Sequence, residues 1–195
     1  MEVPREAQPS GDGEAAARLD VRAGVPADAG EIEAVHWAGL EAAYVGRVRG
    51  WPEVPRDVPA RTARWRSWLA DPEIDVVVGR VGGVVVGFCA LRPCPDPDLD
   101  GNVGEIATLY VHPDHWSHGY GTDLCLASVG RGVERGFDAI VLWVVDVNER
   151  ARRFYRYLGF APDGARKLTE HSAEPLAARR YRMQLGGGAA RAPAP

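Results

Sequence analysis

The stretch "GEIATLYVHPDHWSHGYGTDL", residues 104–124, decides how the chain is read. Apolar and β-branched residues make its first part a strand, over 103–112. Pro113 stops the strand, and a helix follows from Gly119 to about Gly136. Helix N-termini leave main-chain N–H groups unpaired and carry partial positive charge. Gly119 and Gly121 lack a Cβ, so an anion can approach that backbone closely, as in a pyrophosphate cradle. A tight turn or a packing contact gives the same G-x-G pattern, and on local evidence both readings stand. His112, His115 and His118 invite a third reading, a metal site. Pro113 and the strand end before it break the run, so the rings need not converge, and no metal is expected.

Outward from this stretch the periods change several times. "LDVRAGV", 19–25, alternates like a strand. Pro26 and Asp28 open a helix with Ile32, Val35, Leu40 and Tyr44 on one face. A Pro-rich loop leads to a second helix near 58–70, stopped by Asp71-Pro72. Two β-branched runs flank Gly82-Gly83 as a hairpin, and "RPCPDPDLDG" reads as irregular surface loop. "AIVLWVV" is a buried strand, and "NERARRFYRYLG" a helix ending at Gly159. "GFAPDGA", a polar loop and "ARRYRMQL" complete the chain. The order β-α-α-β-β-β-α-β-α-β-β predicts an α/β fold: a single mixed, mostly antiparallel sheet with helices on both faces.

Composition narrows the function classes. Of 195 residues, 46% are hydrophobic and 26% charged, the balance of one globular domain. A net charge of −4 gives no basic footprint for nucleic acid. The apolar runs are too short to span a bilayer, and the N-terminus does not read as a secretory signal. Three cysteines without Cys-x-x-Cys suit a reduced, cytoplasmic setting. Residues 1–17 and 186–195 lack a hydrophobic period and read as disordered tails around a domain at 18–185.

Together, 104–124 and "AIVLWVVDVNERARRFYRYLGF", 139–160, resemble the GNAT superfamily of acyl-CoA-dependent N-acetyltransferases. The first is similar to its Q/R-x-x-G-x-G/A loop. The second is similar to its N-x-x-A-x-x-F-Y-x-x-x-G-F signature, here Asn148, Ala151, Phe154, Tyr155, Gly159 and Phe160. Trp116 departs from the pattern, standing where the family often has Gln or Arg. The cradle then depends on main-chain N–H groups of Ser117, His118, Gly119, Tyr120, Gly121 and Thr122, with His118 near a phosphate.

The resemblance implies an N-acetyltransferase with acetyl-CoA as cosubstrate and an amine acceptor. Deprotonating an alkylamine at neutral pH calls for a base. Glu105, fourteen positions before Gly119, resembles the family's catalytic glutamate; pairing with an arginine is the plainer reading. His36 and Asp146 are alternative bases. Tyr155 lies on an inward face with Ala151, Phe154 and Leu158, and the resemblance makes it the acid for the leaving thiolate. Asn148 looks like the residue that contacts the pantetheine arm, a role compatible with capping its helix. By resemblance the main chain of Leu109 and Val111 pairs with pantetheine, and an N–H near Leu109 or Tyr110 faces the thioester oxygen. Cys125 reads as a packing residue, so transfer is direct. Trp37 or Tyr44, among the aromatics His36, Trp51, Trp65 and Trp68, is expected to line the acceptor cleft. The acceptor expected first is a small-molecule primary amine, then a protein N-terminus or lysine. A non-catalytic acyl-CoA-binding module is the rival class, and a homodimer is compatible with the family.

Overall fold

The computed structural model describes residues 18–48, 56–169 and 175–186. The tails expected over 1–17 and 186–195 lie outside the described residues, Gly186 apart, and so does Trp51. Seven strands form one sheet: β1 (Asp20–Ala23), β2 (Asp75–Val81), β3 (Val84–Pro93), β4 (Val103–Val111), β5 (Ala139–Val145), β6 (Ala161–Thr169) and β7 (Leu176–Gln184). Their order is β1-β2-β3-β4-β5-β7-β6. Every neighbouring pair is antiparallel except β4 and β5. Parallel strands need a crossover, and α3 (Tyr120–Glu134) supplies it. The other helices are α1 (Ala29–Tyr44), α2 (Val58–Ala70) and α4 (Glu149–Tyr157). This is the mixed α/β sheet expected from the sequence. No described helix is long and apolar enough to cross a membrane.

Strand alternation sorts the core into two layers. Phe88 and Ala90 of β3 meet Ile32 and Val35 of α1 and Trp65 of α2. Cys89 and Leu91 face the other way, onto Leu124 and Cys125 of α3 and Tyr155 of α4. Phe88, Leu91 and Leu124 are wholly buried; each such side chain contributes about 1.5–3 kcal/mol. Local chemistry sets the helix ends. Asp57 caps α2 by accepting the Ala60 N–H at 2.9 Å. Asp71, before Pro72, is extended and ends it. At Gly39, α1 crosses β4 so closely that a Cβ would overlap the Tyr110 ring.

Two stretches are more regular than their sequences suggest. β3 keeps Arg92 and Pro93, paired with Glu105 and Gly104. The β2 ladder ends at Leu91, so Pro93 is an edge position, where its missing N–H is tolerated. β6 runs through the expected polar loop to Thr169. It is an outer strand with mostly exposed side chains, so its sequence needs no apolar alternation. The segment after β3 is tied down by charge. Arg180 of β7, 4% exposed, donates to Asp96, Asp98 and Asp163 at 2.6–2.9 Å. The Trp143 indole adds a bond to Asp96 at 2.9 Å.

Candidate active site

β4 and β5 pair over only three residues, Val103–Glu105 against Ala139–Val141. The β3–β4 ladder continues to Val111, with an irregularity between Ala90 and Leu91 that leaves Ala107 bulged. A gap therefore opens between β4 and β5 beyond Glu105. The His112 N–H donates to Val86 O at 2.8 Å. By alternation the main chain of Val111 and Leu109 faces away from β3, into the gap. Such an edge can pair with an extended ligand. The Val111 carbonyl accepts the Trp116 indole N–H at 2.8 Å, so its N–H is the group left to offer.

The loop into α3 is shaped by two left-handed residues, Ser117 at φ 67° and Gly119 at φ 84°. For serine this conformation costs on the order of 1–3 kcal/mol and is typical of ligand-holding loops. Gly119 caps α3 through its carbonyl, which accepts the Thr122 N–H at 2.8 Å. The N–H groups of Ser117, His118, Gly119 and Gly121 have no acceptor among the described residues. A Cβ at Gly121 would meet the Phe154 ring edge at 3.5 Å and Val111 Cγ2 at 3.9 Å, both ordinary contacts. Protein packing therefore does not require glycine there.

α4 brings two side chains to the same place. Asn148 caps the helix by accepting the Ala151 N–H at 3.0 Å, which leaves its amide NH2 as a donor. Tyr155 is 8% exposed and packs on Phe154 and Phe160, ring centroids 5.1 and 5.7 Å away. Its hydroxyl has no hydrogen-bond partner among the described residues. Burial pushes the phenol well above its ordinary value near 10. Cys125 is fully buried, its thiol pushed up to about 12 by burial.

These elements line one cavity of about 750 Å³. Leu109 and Val111 reach it from β4, Ser117, Gly119, Tyr120, Gly121 and Thr122 from the loop and α3, and Asn148 and Tyr155 from α4. His118 does not line it. Its ring Nδ1 lies 2.8 Å from Trp116 O, and the ring stacks on Tyr120. Glu105 does not line it either; Arg92 holds its carboxylate at 2.8 Å. Of the alternative bases, Asp146 is paired with Arg179 at 2.5 Å, and that bond keeps its carboxyl below the usual range. Arg61 Nη2 approaches the His36 Nδ1 at 3.2 Å.

Trp37 and Tyr44 are not among the residues that line this cavity, although Tyr44 acts electrostatically on Tyr155 and Tyr110, which do. Trp37 carries the Arg56 and Arg61 guanidiniums, 5.3 and 5.0 Å from its ring centroid. α1 presents Gly39, Ala42 and Ala43 to the cavity instead. Their i, i+3, i+4 spacing of small residues was a signal in the sequence, hidden by the aromatics around it. Arg150 was missed as well, on the cavity wall in the first turn of α4. Among the described residues no three His, Cys, Asp or Glu side chains are grouped to hold a metal.

The model of the Acetyltransferase (GNAT) family matches residues 37–160. An uncharacterized N-acetyltransferase of Mycobacterium tuberculosis is 30% identical over 112 residues, 56% of this chain and 67% of that protein. A mycothiol acetyltransferase of Thermobispora bispora is 38% identical over 79 residues, 40% of this chain and 27% of that protein. The yncA structure of Salmonella typhimurium, assigned as an acetyltransferase and holding its cofactor acetyl-CoA, superposes with a TM-score of 0.68. It is 21% identical and covers 91% of this chain and 99% of its own.

Proposed function

The chain belongs to the GNAT acetyltransferase family and is a transferase, and we propose that it passes the acetyl group of acetyl-CoA directly to a primary amine. One observation carries this reading: the open edge of β4 and the unpaired N–H groups before α3 border the same cavity. The donor set suits that cosubstrate. Unpaired N–H groups at a helix N-terminus match a pyrophosphate, and a strand edge matches an amide-bearing arm. Acetyl-CoA supplies an activated acyl group on a thiol that must leave. The main chain of Leu109 and Val111 holds the arm, and the Asn148 amide adds a donor. Tyr155 keeps its proton at neutral pH, because burial opposes the phenolate, and gives it to the departing sulfur. Glu105 takes the amine's proton, through a water. The buried Cys125 thiol supports direct transfer over an acyl-cysteine route.

The small-molecule acceptor is the first choice because a relative matching part of this chain is a mycothiol acetyltransferase. The test is a panel of amines, with peptides included, incubated with acetyl-CoA and assayed for free thiol. Amine-dependent thiol release is expected. CoA binding with no release for any amine or peptide would make the chain an acyl-CoA-binding module instead.

A further inference from the structure

Arg150 places its guanidinium carbon 3.8 Å from the centroid of the Trp116 ring. The ring does not drift, because its indole N–H is bonded to Val111 O at 2.8 Å. Both residues line the cavity, beside the unpaired N–H groups of Ser117 and Gly119. A cation in the first turn of a helix is opposed by the helix dipole, and Arg150 is the second residue of α4. No carboxylate answers it among the described residues. Its neighbour Glu149 pairs with Arg153 at 3.8 Å. Arg47, another cation on the cavity wall, is spent on the Ala42 and Ala43 carbonyls. The loop 112–122 contains no lysine or arginine. A guanidinium that stacks by its face keeps its N–H donors free along its edge. Here those donors stand beside a cavity wall that already offers N–H groups to an anion.

We propose that Arg150 engages the phosphates of the cosubstrate, and that Trp116 is the positioning residue that holds it there. The cradle thus draws its side-chain cation from α4, across the cavity, and not from its own loop. A phosphate-bearing thioester gains from this pair and a phosphate-free pantetheine thioester does not. The proposal rests on the acyl-CoA reading above.

Calorimetric titration of CoA and of pantetheine, at several salt concentrations, tests it. A charge-assisted contact predicts that Arg150→Ala weakens CoA about 10- to 100-fold and flattens its salt dependence. Pantetheine, which has no phosphate, should change by less than about 2-fold, below the size of one lost neutral hydrogen bond. Trp116→Leu should weaken CoA by a smaller factor, and that loss should vanish when Arg150 is already alanine. Circular dichroism and melting temperature check that each variant is folded. Unchanged CoA affinity and salt dependence in Arg150→Ala overturn the proposal alone. So does an equal loss for CoA and pantetheine, or a Trp116→Leu loss that persists without Arg150. A wild-type protein that binds no CoA overturns the acyl-CoA reading and this proposal together.

Discussion

Arg92 and Glu105 face each other across the β3–β4 ladder, with the Arg92 Nε and Nη2 both 2.8 Å from Glu105 Oε2. The same guanidinium lies 5.7 Å from the Trp68 ring of α2. Oε1 has no hydrogen bond among the described residues, so half of the carboxylate is available. Ile106 packs toward α3, and alternation sends Glu105 to the opposite face. Tyr155 approaches from the α3 and α4 side. Base and acid would then work from opposite faces of the sheet, one at the amine and one at the thiolate.

Glu105→Gln should lower kcat/KM most at mildly acidic and neutral pH and recover toward alkaline pH. A base matters only while the amine is protonated, and an alkylamine loses its proton near pH 10.4 unaided. A mutant profile parallel to wild type at every pH would assign Glu105, with Arg92, to positioning.

Gly121→Ala should have opposite effects on fold and ligand. The helix gains about 0.5–1 kcal/mol when glycine becomes alanine, and the new Cβ makes only ordinary contacts, with the Phe154 ring edge and Val111. On the proposed cradle the same methyl would stand where phosphate approaches the backbone, so CoA affinity should fall about 10-fold or more, the loss of one charge-assisted hydrogen bond. A raised melting temperature with unchanged CoA affinity would place the phosphate elsewhere.

The helices and sheet were legible because local patterns and core patterns agree. The Asp57 cap, the Asp71-Pro72 stop and the alternation of β3 each say the same thing twice. The Gly119 and Asn148 segments were legible through motifs whose chemistry is main-chain and local. The gap between β4 and β5 was not legible from residues alone, since "GEIATLYVH" reads as an ordinary strand throughout; only the resemblance pointed to an open edge, through the pairing it implies between pantetheine and the main chain of Leu109 and Val111. Long-range partners were hidden too. Nothing local shows that Arg92 takes Glu105, that Trp116 stacks on Arg150, or that Gly39 admits Tyr110. The later part of β6 looked like a loop because an exposed edge imposes no hydrophobic period.

Arg180→Met should destabilise the fold by about 3–5 kcal/mol at neutral pH, since it strands the largely buried carboxylates of Asp96 and Asp163 that the guanidinium paired. The hydrogen bond from Arg180 holds the Asp98 carboxyl below its usual range. A depressed carboxylate stabilises the fold fully above its unfolded value, near pH 3.9, and less as pH falls through the lower folded value. The cost of Arg180→Met should therefore shrink below about pH 4. Urea unfolding of both proteins from pH 7 to pH 3 measures it, and a cost independent of pH would deny the ionic origin.

Tyr155→Phe should leave the fold and CoA binding close to wild type while slowing turnover by about two to four orders of magnitude. The hydroxyl has no protein partner among the described residues, so its removal orphans no hydrogen bond. The ring, which packs on Phe154 and Phe160, is retained. Burial holds the phenol well above pH 10, so wild-type kcat should show no loss from Tyr155 ionisation up to that pH. The same burial makes the phenol a reluctant donor to a free thiolate, whose own pKa is near 8.5. Proton transfer must then accompany carbon–sulfur cleavage rather than follow it. A solvent deuterium isotope effect on kcat, present in wild type and lost in the phenylalanine variant, would mark that coupling. Turnover near wild type with the best acceptor would make Tyr155 a packing residue and leave the thiolate to be protonated by solvent.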